Sequence, residues 1–309
     1  MTSTTRAWTD VVVRADVPIA VRDFGGDGPD VLLLHGAGRT LVDWTLLAAE
    51  LPGFRLVGVD LRCHGLSGAG PWTWRALLDD LQFVIDHLGL TRPAVVGHSL
   101  GGILASFWAS EHADCPAVVN LDGHWSGTPS LYDGIDPELV RLRIAALRAA
   151  SVGADQASVP ADRVEALVAA QVADALAAGL DPGLAEESLR RTLEIEGACA
   201  TFRPSAQVVT ALLAEVEATD LPALWTASNC PLLIVLCSRS APAPADAPLW
   251  MAEMQSAYSR GLNAALAQVT ARQPLVTAQV FDGDHGLIWS DAAATAVMVQ
   301  RFLVGRTTQ

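Results

Sequence analysis

The sequence predicts an α/β fold: a mostly parallel sheet of eight strands with helices on both faces, interrupted by an all-helical insertion after the sixth strand. Three observations predict it. Short continuous apolar runs recur, such as Val31-Leu32-Leu33-Leu34, Ala94-Val95-Val96 and Leu232-Leu233-Ile234-Val235-Leu236, and such runs suit strands covered on both faces. Amphipathic helical patterns alternate with them. In the clearest, Trp72–Leu88, residues Trp74, Leu77, Leu78, Leu81, Val84, Ile85 and Leu88 recur at helical spacing. The alternation then stops. From about Ser126 to Asn229 the chain reads as alanine- and leucine-rich helices (138–150, 161–178, 184–195 and 206–218) punctuated by prolines. A core of residues 1–124 and 230–309 with an inserted helical cap of residues 125–229 follows.

Each element has its own signal. Val11–Arg14 and Ile19–Asp23 alternate around Asp16-Val17-Pro18 and read as an antiparallel hairpin. Gly25-Gly26-Asp27-Gly28-Pro29 breaks the chain before the third strand, which ends in His35-Gly36-Ala37-Gly38. A helix over Asp43–Leu51 leads to the fourth strand, Leu56–Val59, and the polar run Asp60-Leu61-Arg62-Cys63-His64-Gly65-Leu66-Ser67. The fifth strand ends at Gly97-His98-Ser99-Leu100-Gly101, and the sixth, Ala117–Leu121, at Asp122-Gly123. Beyond the insertion come a strand over Pro231–Cys237, a proline–alanine loop, a helix from Leu249 to about Ala271, and a strand over Leu275–Phe281. The loop Asp282-Gly283-Asp284-His285-Gly286 and a closing helix, Ser290–Leu303, end the chain.

Bulk properties narrow the classes of function. A net charge of −14 argues against a phosphate-tracking surface, so no nucleic-acid partner is expected. The five cysteines are scattered without a Cys-x-x-Cys spacing, which suggests neither a metal site nor a disulfide framework. Met1–Asp10 is polar and no apolar run reaches spanning length, so a cytoplasmic protein without membrane insertion is expected. A homodimer is left open.

The chemistry lies in the fifth-strand turn. Gly-x-Ser-x-Gly between strand and helix is a nucleophile elbow, in which a strained turn lifts the serine hydroxyl above the sheet edge. A serine needs an adjacent base, a group orienting that base, and donors for the oxyanion. His285, on the loop after the last strand, is the candidate base. The candidate donors are the backbone N–H groups of Ala37 and Leu100.

In order, His35-Gly36-Ala37-Gly38, Asp60-x-Arg-x-His-Gly-x-Ser67, the Ser99 elbow and Gly283-x-His285 resemble the α/β-hydrolase family with a cap after the sixth strand. The resemblance covers about Val11–Gly123 and Cys230–Phe302. It implies a cofactor-independent serine hydrolase with Ser99 and His285 catalytic, while Asp60, Arg62 and His64 hold a loop. For the acid it implies Asp122, because serines stand after the seventh strand where an aspartate is frequent. Asp246, along the proline-rich loop, is the alternative. An acid after the sixth strand is similar to that of zearalenone lactonases. A sizeable cap and a tryptophan-rich neighbourhood suggest a fairly large apolar substrate, an ester or lactone, with a macrocyclic lactone of that type as one candidate. Gly38, His124, Trp125, Trp225, Trp250 and Trp289 are expected to line its pocket. A carbon–carbon bond hydrolase of the meta-cleavage type and a hydrolase-fold ligand receptor would keep the same constellation. Epoxide hydrolases and haloalkane dehalogenases would need aspartate at position 99.

Overall fold

The structure, a computed structural model, describes residues 10–14, 16–154, 158–239 and 247–307. The first six strands are β1 (Asp10–Arg14), β2 (Pro18–Gly25), β3 (Asp30–Leu34), β4 (Arg55–Val59), β5 (Ala94–His98) and β6 (Val118–Leu121). Three short strands follow in the insertion: β7 (Val159–Pro160), β8 (Leu193–Glu196) and β9 (Cys199–Phe202). β10 (Leu232–Cys237) and β11 (Val276–Phe281) return to the core. The main sheet has eight strands in the order β1-β2-β4-β3-β5-β6-β10-β11. β2 pairs antiparallel with β1 and β4, and every other pairing is parallel.

Parallel strands require crossovers, which the helices supply. The core helices are α1 (Thr45–Ala49), preceded by a 3-10 turn over Leu41–Trp44, then α2 (Trp74–Leu88) and α3 (Leu100–Glu111). The insertion carries α4 (Pro137–Ala154), α5 (Val164–Ala177), α6 (Pro182–Arg191), α7 (Ala206–Ala218) and α8 (Leu221–Thr226). The core resumes with α9 (Leu249–Arg272), α10 (Leu287–Ser290) and α11 (Ala292–Leu303). The continuous apolar strands divide their side chains between two cores. Leu32, Leu34, Val57 and Val95 pack on one face with α2, α3 and α9. Val31, Leu33, Leu56 and Val96 pack on the other with α1 and α11. This two-sided burial is why the strands lack polar alternation.

The register puts several loops at one sheet edge. Leu34 lies opposite Gly97, His98 opposite Leu121, Leu121 opposite Val235, and Cys237 opposite Phe281. The chain therefore leaves β3, β5, β6, β10 and β11 side by side.

The expectation of an all-helical insertion is corrected. Helix α6 stops at Arg191, and Leu193-Glu194-Ile195-Glu196 turns through Gly197-Ala198 into Cys199–Phe202. The two strands pair antiparallel, Glu196 with Cys199 and Leu193 with Phe202, and β7 adds to β9. Gly197 takes the left-handed conformation that the tight turn needs (φ 59°). An alternating run of apolar and acidic residues forms a hairpin here, and Ala200 of its second strand is buried against Val164 and Val168 of α5.

Insertion and core are joined by buried ions. Arg191, the last residue of α6, donates to Asp60 Oδ2 through Nε and Nη2 at 3.1 and 2.8 Å, and also pairs with Asp10. Arg22 bridges Asp10 and Glu187 of α6. Asp60 is fully buried and also accepts the N–H groups of Leu41 and Leu66. Breaking a buried pair leaves an uncompensated charge, which costs about 3–5 kcal/mol. The Arg191→Met variant is expected to lose stability of that size, read as a lowered urea midpoint at unchanged slope.

Candidate active site

Ser99 sits between β5 and α3 with φ 54° and ψ −119°, a conformation unfavourable for any residue with a Cβ. The surroundings enforce it. Its N–H donates to Leu121 O at 2.9 Å, and its carbonyl accepts from Gly102 and Ile103 at 2.9 and 3.2 Å. The turn packs so closely on β3 that a Cβ on Gly101 would lie 2.1 Å from Leu34 O. Gly-x-Ser-x-Gly is therefore a steric requirement at this point.

The turn after β6 is built against this elbow. The buried Asn120 donates to Ser106 Oγ at 3.0 Å and to Gly123 O at 2.9 Å, and accepts from Gly123 N–H at 2.8 Å. A Cβ on Gly123 would come within 2.3 Å of Ser99 O, so acid turn and elbow touch. Asp122 itself is left-handed (φ 55°), with its N–H donated to Val235 O at 2.9 Å. Nothing in its residue type marked Asn120 as the organiser of this turn; a buried amide beside Asp-Gly was the available signal.

Asp122 Oδ2 lies 2.7 Å from His285 Nδ1. Oδ1 accepts the Cys237 N–H at 2.8 Å and faces His124 Nε2 at 3.2 Å. Burial opposes ionisation of this carboxyl, but the hydrogen bonds from His124 and His285, the charge of His124 and the Cys237 N–H outweigh it. They hold Asp122 well below the usual carboxylate range. A carboxylate can only accept, so His285 carries its proton on Nδ1 and leaves Nε2 as a base. Asp246, the alternative acid, lies outside the described residues.

Two further histidines brace the site. His98 Nε2 donates to the His285 carbonyl at 2.8 Å, and the rings lie 4.7 Å apart. His35 donates from Nδ1 to Gly36 O at 2.7 Å and accepts the Leu61 N–H on Nε2 at 3.0 Å, tying the loop after β3 to that after β4. Burial lowers both to about 3, so they are neutral struts. Arg62 likewise is structural: it pairs with Asp80 at 2.6 and 2.7 Å inside the core.

The loop carrying Ala37 lies over the serine, since a Cβ on Gly36 would be 3.2 Å from Ser99 Cβ. Leu100 opens α3, whose first N–H groups have no intrahelical acceptor. Among the described residues neither the Ala37 nor the Leu100 N–H has a hydrogen-bond partner. Both are thus available to an oxyanion.

Beside them opens a cavity of about 960 Å³ between core and insertion. Ala37, Gly38, Arg39, Val42, Asp43, Leu46 and Trp289 form its core side, and the insertion, chiefly α5, α6, the turn after β9 and α7, supplies the rest. Ser99 and His285 are not part of its wall. Of the expected pocket residues, Gly38 and Trp289 line this cavity, and the other four lie elsewhere. Trp225 is fully buried on α8 in the main core. Trp250 packs against that core on α9, beneath Arg143 at 5.6 Å. Trp125 is 37% exposed outside the cavity. His124 points at Asp122, with its ring stacked on Tyr258 and its carbonyl accepting the Tyr258 hydroxyl. For Trp225 and Trp250, apolar character predicted burial but not its direction.

The sequence model of a family described as alpha/beta hydrolase fold matches residues 29–170, from the start of β3 into α5. The crystal structure of E-2-(acetamidomethylene)succinate hydrolase superposes on 96% of this chain and 99% of its own, with a TM-score of 0.70 at 21% identity. The chain has the α/β-hydrolase fold. An enol-lactonase from Burkholderia xenovorans LB400 superposes likewise, with a TM-score of 0.58 at 21% identity over 96% of this chain and 99% of its own. Similar in sequence are lipase LipV of Mycobacterium tuberculosis, 37% identical over 109 residues (34% of this chain, 42% of that protein). Epoxide hydrolase 2 of Siraitia grosvenorii is 34% identical over 107 residues (32% and 34%). The chain spans less than half the length of the curated relatives it matches. Among the described residues of this α/β-hydrolase fold, no helix is long and apolar enough to cross a membrane.

Proposed function

We propose that this protein is a serine hydrolase that cleaves a carboxylic ester or lactone through an acyl-enzyme. The observation that carries the reading is the 2.7 Å contact between Asp122 and His285 Nδ1, at the same sheet edge as the strained Ser99 elbow. Ser99 Oγ attacks the substrate carbonyl while His285 Nε2 takes its proton. Asp122 stabilises the imidazolium that results, and the Ala37 and Leu100 N–H groups receive the negative charge on the carbonyl oxygen. The tetrahedral intermediate collapses, the leaving alcohol takes the proton from His285, and Ser99 remains acylated. Water then attacks the acyl group, gives a proton to His285, and Ser99 recovers its proton as the acid departs.

An epoxide offers no carbonyl to this nucleophile, so the serine at position 99 favours acyl transfer over the reaction named for the epoxide-hydrolase relatives. The cavity is walled largely by leucine, alanine and valine side chains, which supports a substrate with a sizeable apolar body. A macrocyclic lactone stands at the upper end of that size range.

A fluorophosphonate probe is expected to label Ser99, and a short-chain 4-nitrophenyl ester to be turned over. Ser99→Ala is expected to abolish labelling and to reduce kcat/KM by at least about a thousandfold. A wild-type protein that shows neither labelling nor turnover would overturn the serine-hydrolase reading.

A further inference from the structure

One cation in the cavity wall has donors to spare. Arg39 lies directly after the oxyanion-loop residues Ala37 and Gly38 and lines the cavity with them. Its guanidinium is fixed from two sides. Asp43 accepts from Nε and Nη2, both at 2.7 Å, and the Trp289 ring centre is 4.5 Å from its Cζ. Asp43 is buried, so this is an anchored pair and not a loose surface contact. The two bonds occupy the side-on edge of the fork. The end-on edge, Nη1 with the outer hydrogen of Nη2, has no partner among the described residues, and the Arg39 side chain is 43% exposed. The other arginine of the wall, Arg203, gives one hydrogen of each terminal nitrogen to the carbonyls of Gly65 and Ser67, and its side chain is 15% exposed. Of the acidic wall residues, Asp43 is paired with Arg39, and Asp174 and Asp181 belong to the insertion. Arg39 is therefore the more exposed of the two wall cations, and it stands at the oxyanion-loop end.

We propose that Arg39 binds a carboxylate, so that the substrate hydrolysed at Ser99 carries a free carboxylate group on an apolar body. This rests on the serine-hydrolase reading. The two oxygens of a carboxylate match the spacing of the end-on edge, and charge-assisted bidentate bonds are the strong ones. Asp43 compensates the guanidinium charge and holds the fork still, so little side-chain freedom is lost on binding.

The test compares two 4-nitrophenyl esters of adipic acid, one with a free second carboxylate and one with that group as its methyl ester. Wild-type protein is expected to prefer the free acid in kcat/KM by about ten- to a hundredfold, chiefly through KM, as one charged hydrogen-bonded contact allows. Arg39→Met is expected to bring the ratio of the two esters close to one. The double variant Arg39→Met with Asp43→Asn, which leaves no unpaired buried carboxylate, is expected to do the same. No preference in the wild type, or a preference that survives both variants, would overturn the proposal. Fluorophosphonate labelling of Ser99 separates this from failure of the hydrolase reading. If Ser99 is not labelled at all, that reading fails. The anion site is then decided by whether adipate raises the melting temperature of the wild type and not of the variants.

Discussion

Asp122→Asn is expected to lower kcat by about ten-thousandfold while leaving the fold intact, which is the scale of the same exchange in the serine-protease triad. The geometry gives the reason. Asp122 serves His285 through one oxygen and the Cys237 N–H and His124 through the other. An asparagine keeps its one carbonyl oxygen where the Cys237 N–H demands an acceptor. Its amide N–H₂ then faces His285 Nδ1, and the imidazole must move its proton to Nε2. The nitrogen that should receive the Ser99 proton is now itself protonated, and no negative charge remains to stabilise an imidazolium. The shape is unchanged, so the thermal midpoint should shift little. Fluorophosphonate labelling of Ser99 should slow in parallel with kcat, because both need the same base. Asp246→Asn is the control and is expected to stay within a few-fold of wild type. If Asp246→Asn alone removed activity, the orienting carboxylate would lie on the loop after β10 and the Asp122 assignment would be wrong.

What the sequence disclosed follows from how local each signal is. The parallel sheet was legible because continuous apolar runs such as Val31–Leu34 divide between two cores. The elbow was legible because Gly101 cannot carry a Cβ against Leu34 O. The Asp122–His285 pairing was anticipated only through the resemblance to α/β-hydrolases, and it is made where β6, β10 and β11 are neighbours and their loops share an edge. Contacts made by folding distant segments together left no such mark. Arg39 and Trp289 are separated by almost the whole chain, and Arg191 meets Asp60 across 131 residues. The hairpin of β8 and β9 was hidden in an alanine-rich stretch because Glu194 and Ile195 suit either an exposed helix or an exposed strand. Direction of burial was the other blind spot. Trp225 and Trp289 are similar by sequence context, yet one fills the core and the other faces the cavity.

Acidification from pH 7.5 to 5.0 is expected to destabilise the protein by about 6 kcal/mol, through three histidines that folding keeps neutral. His35 and His64 are fully buried and His98 is 1% exposed. Burial is the leading cause that lowers each from its ordinary value to about 3. Their hydrogen bonds agree. His35 Nε2 already accepts the Leu61 N–H, while His64 Nε2 and His98 Nδ1 are buried without partners, so a second ring proton would have no acceptor at any of the three. In the unfolded chain the same rings titrate near 6.5. Between that value and 3 the unfolded state holds more protons, so the stabilisation is complete above about pH 6.5 and drains away as the pH falls. At pH 5.0 each ring accounts for about 2 kcal/mol. The buried carboxyls of Asp43 and Asp80, raised first by burial, act with the opposite sign and blunt the loss toward lower pH. Urea midpoints at the two pH values measure the slope. His64→Asn and His98→Gln, which keep a neutral donor near Nδ1 and Nε2 respectively, should each remove about a third of it. Wild type and both variants losing stability in parallel would show that other groups carry the acid sensitivity.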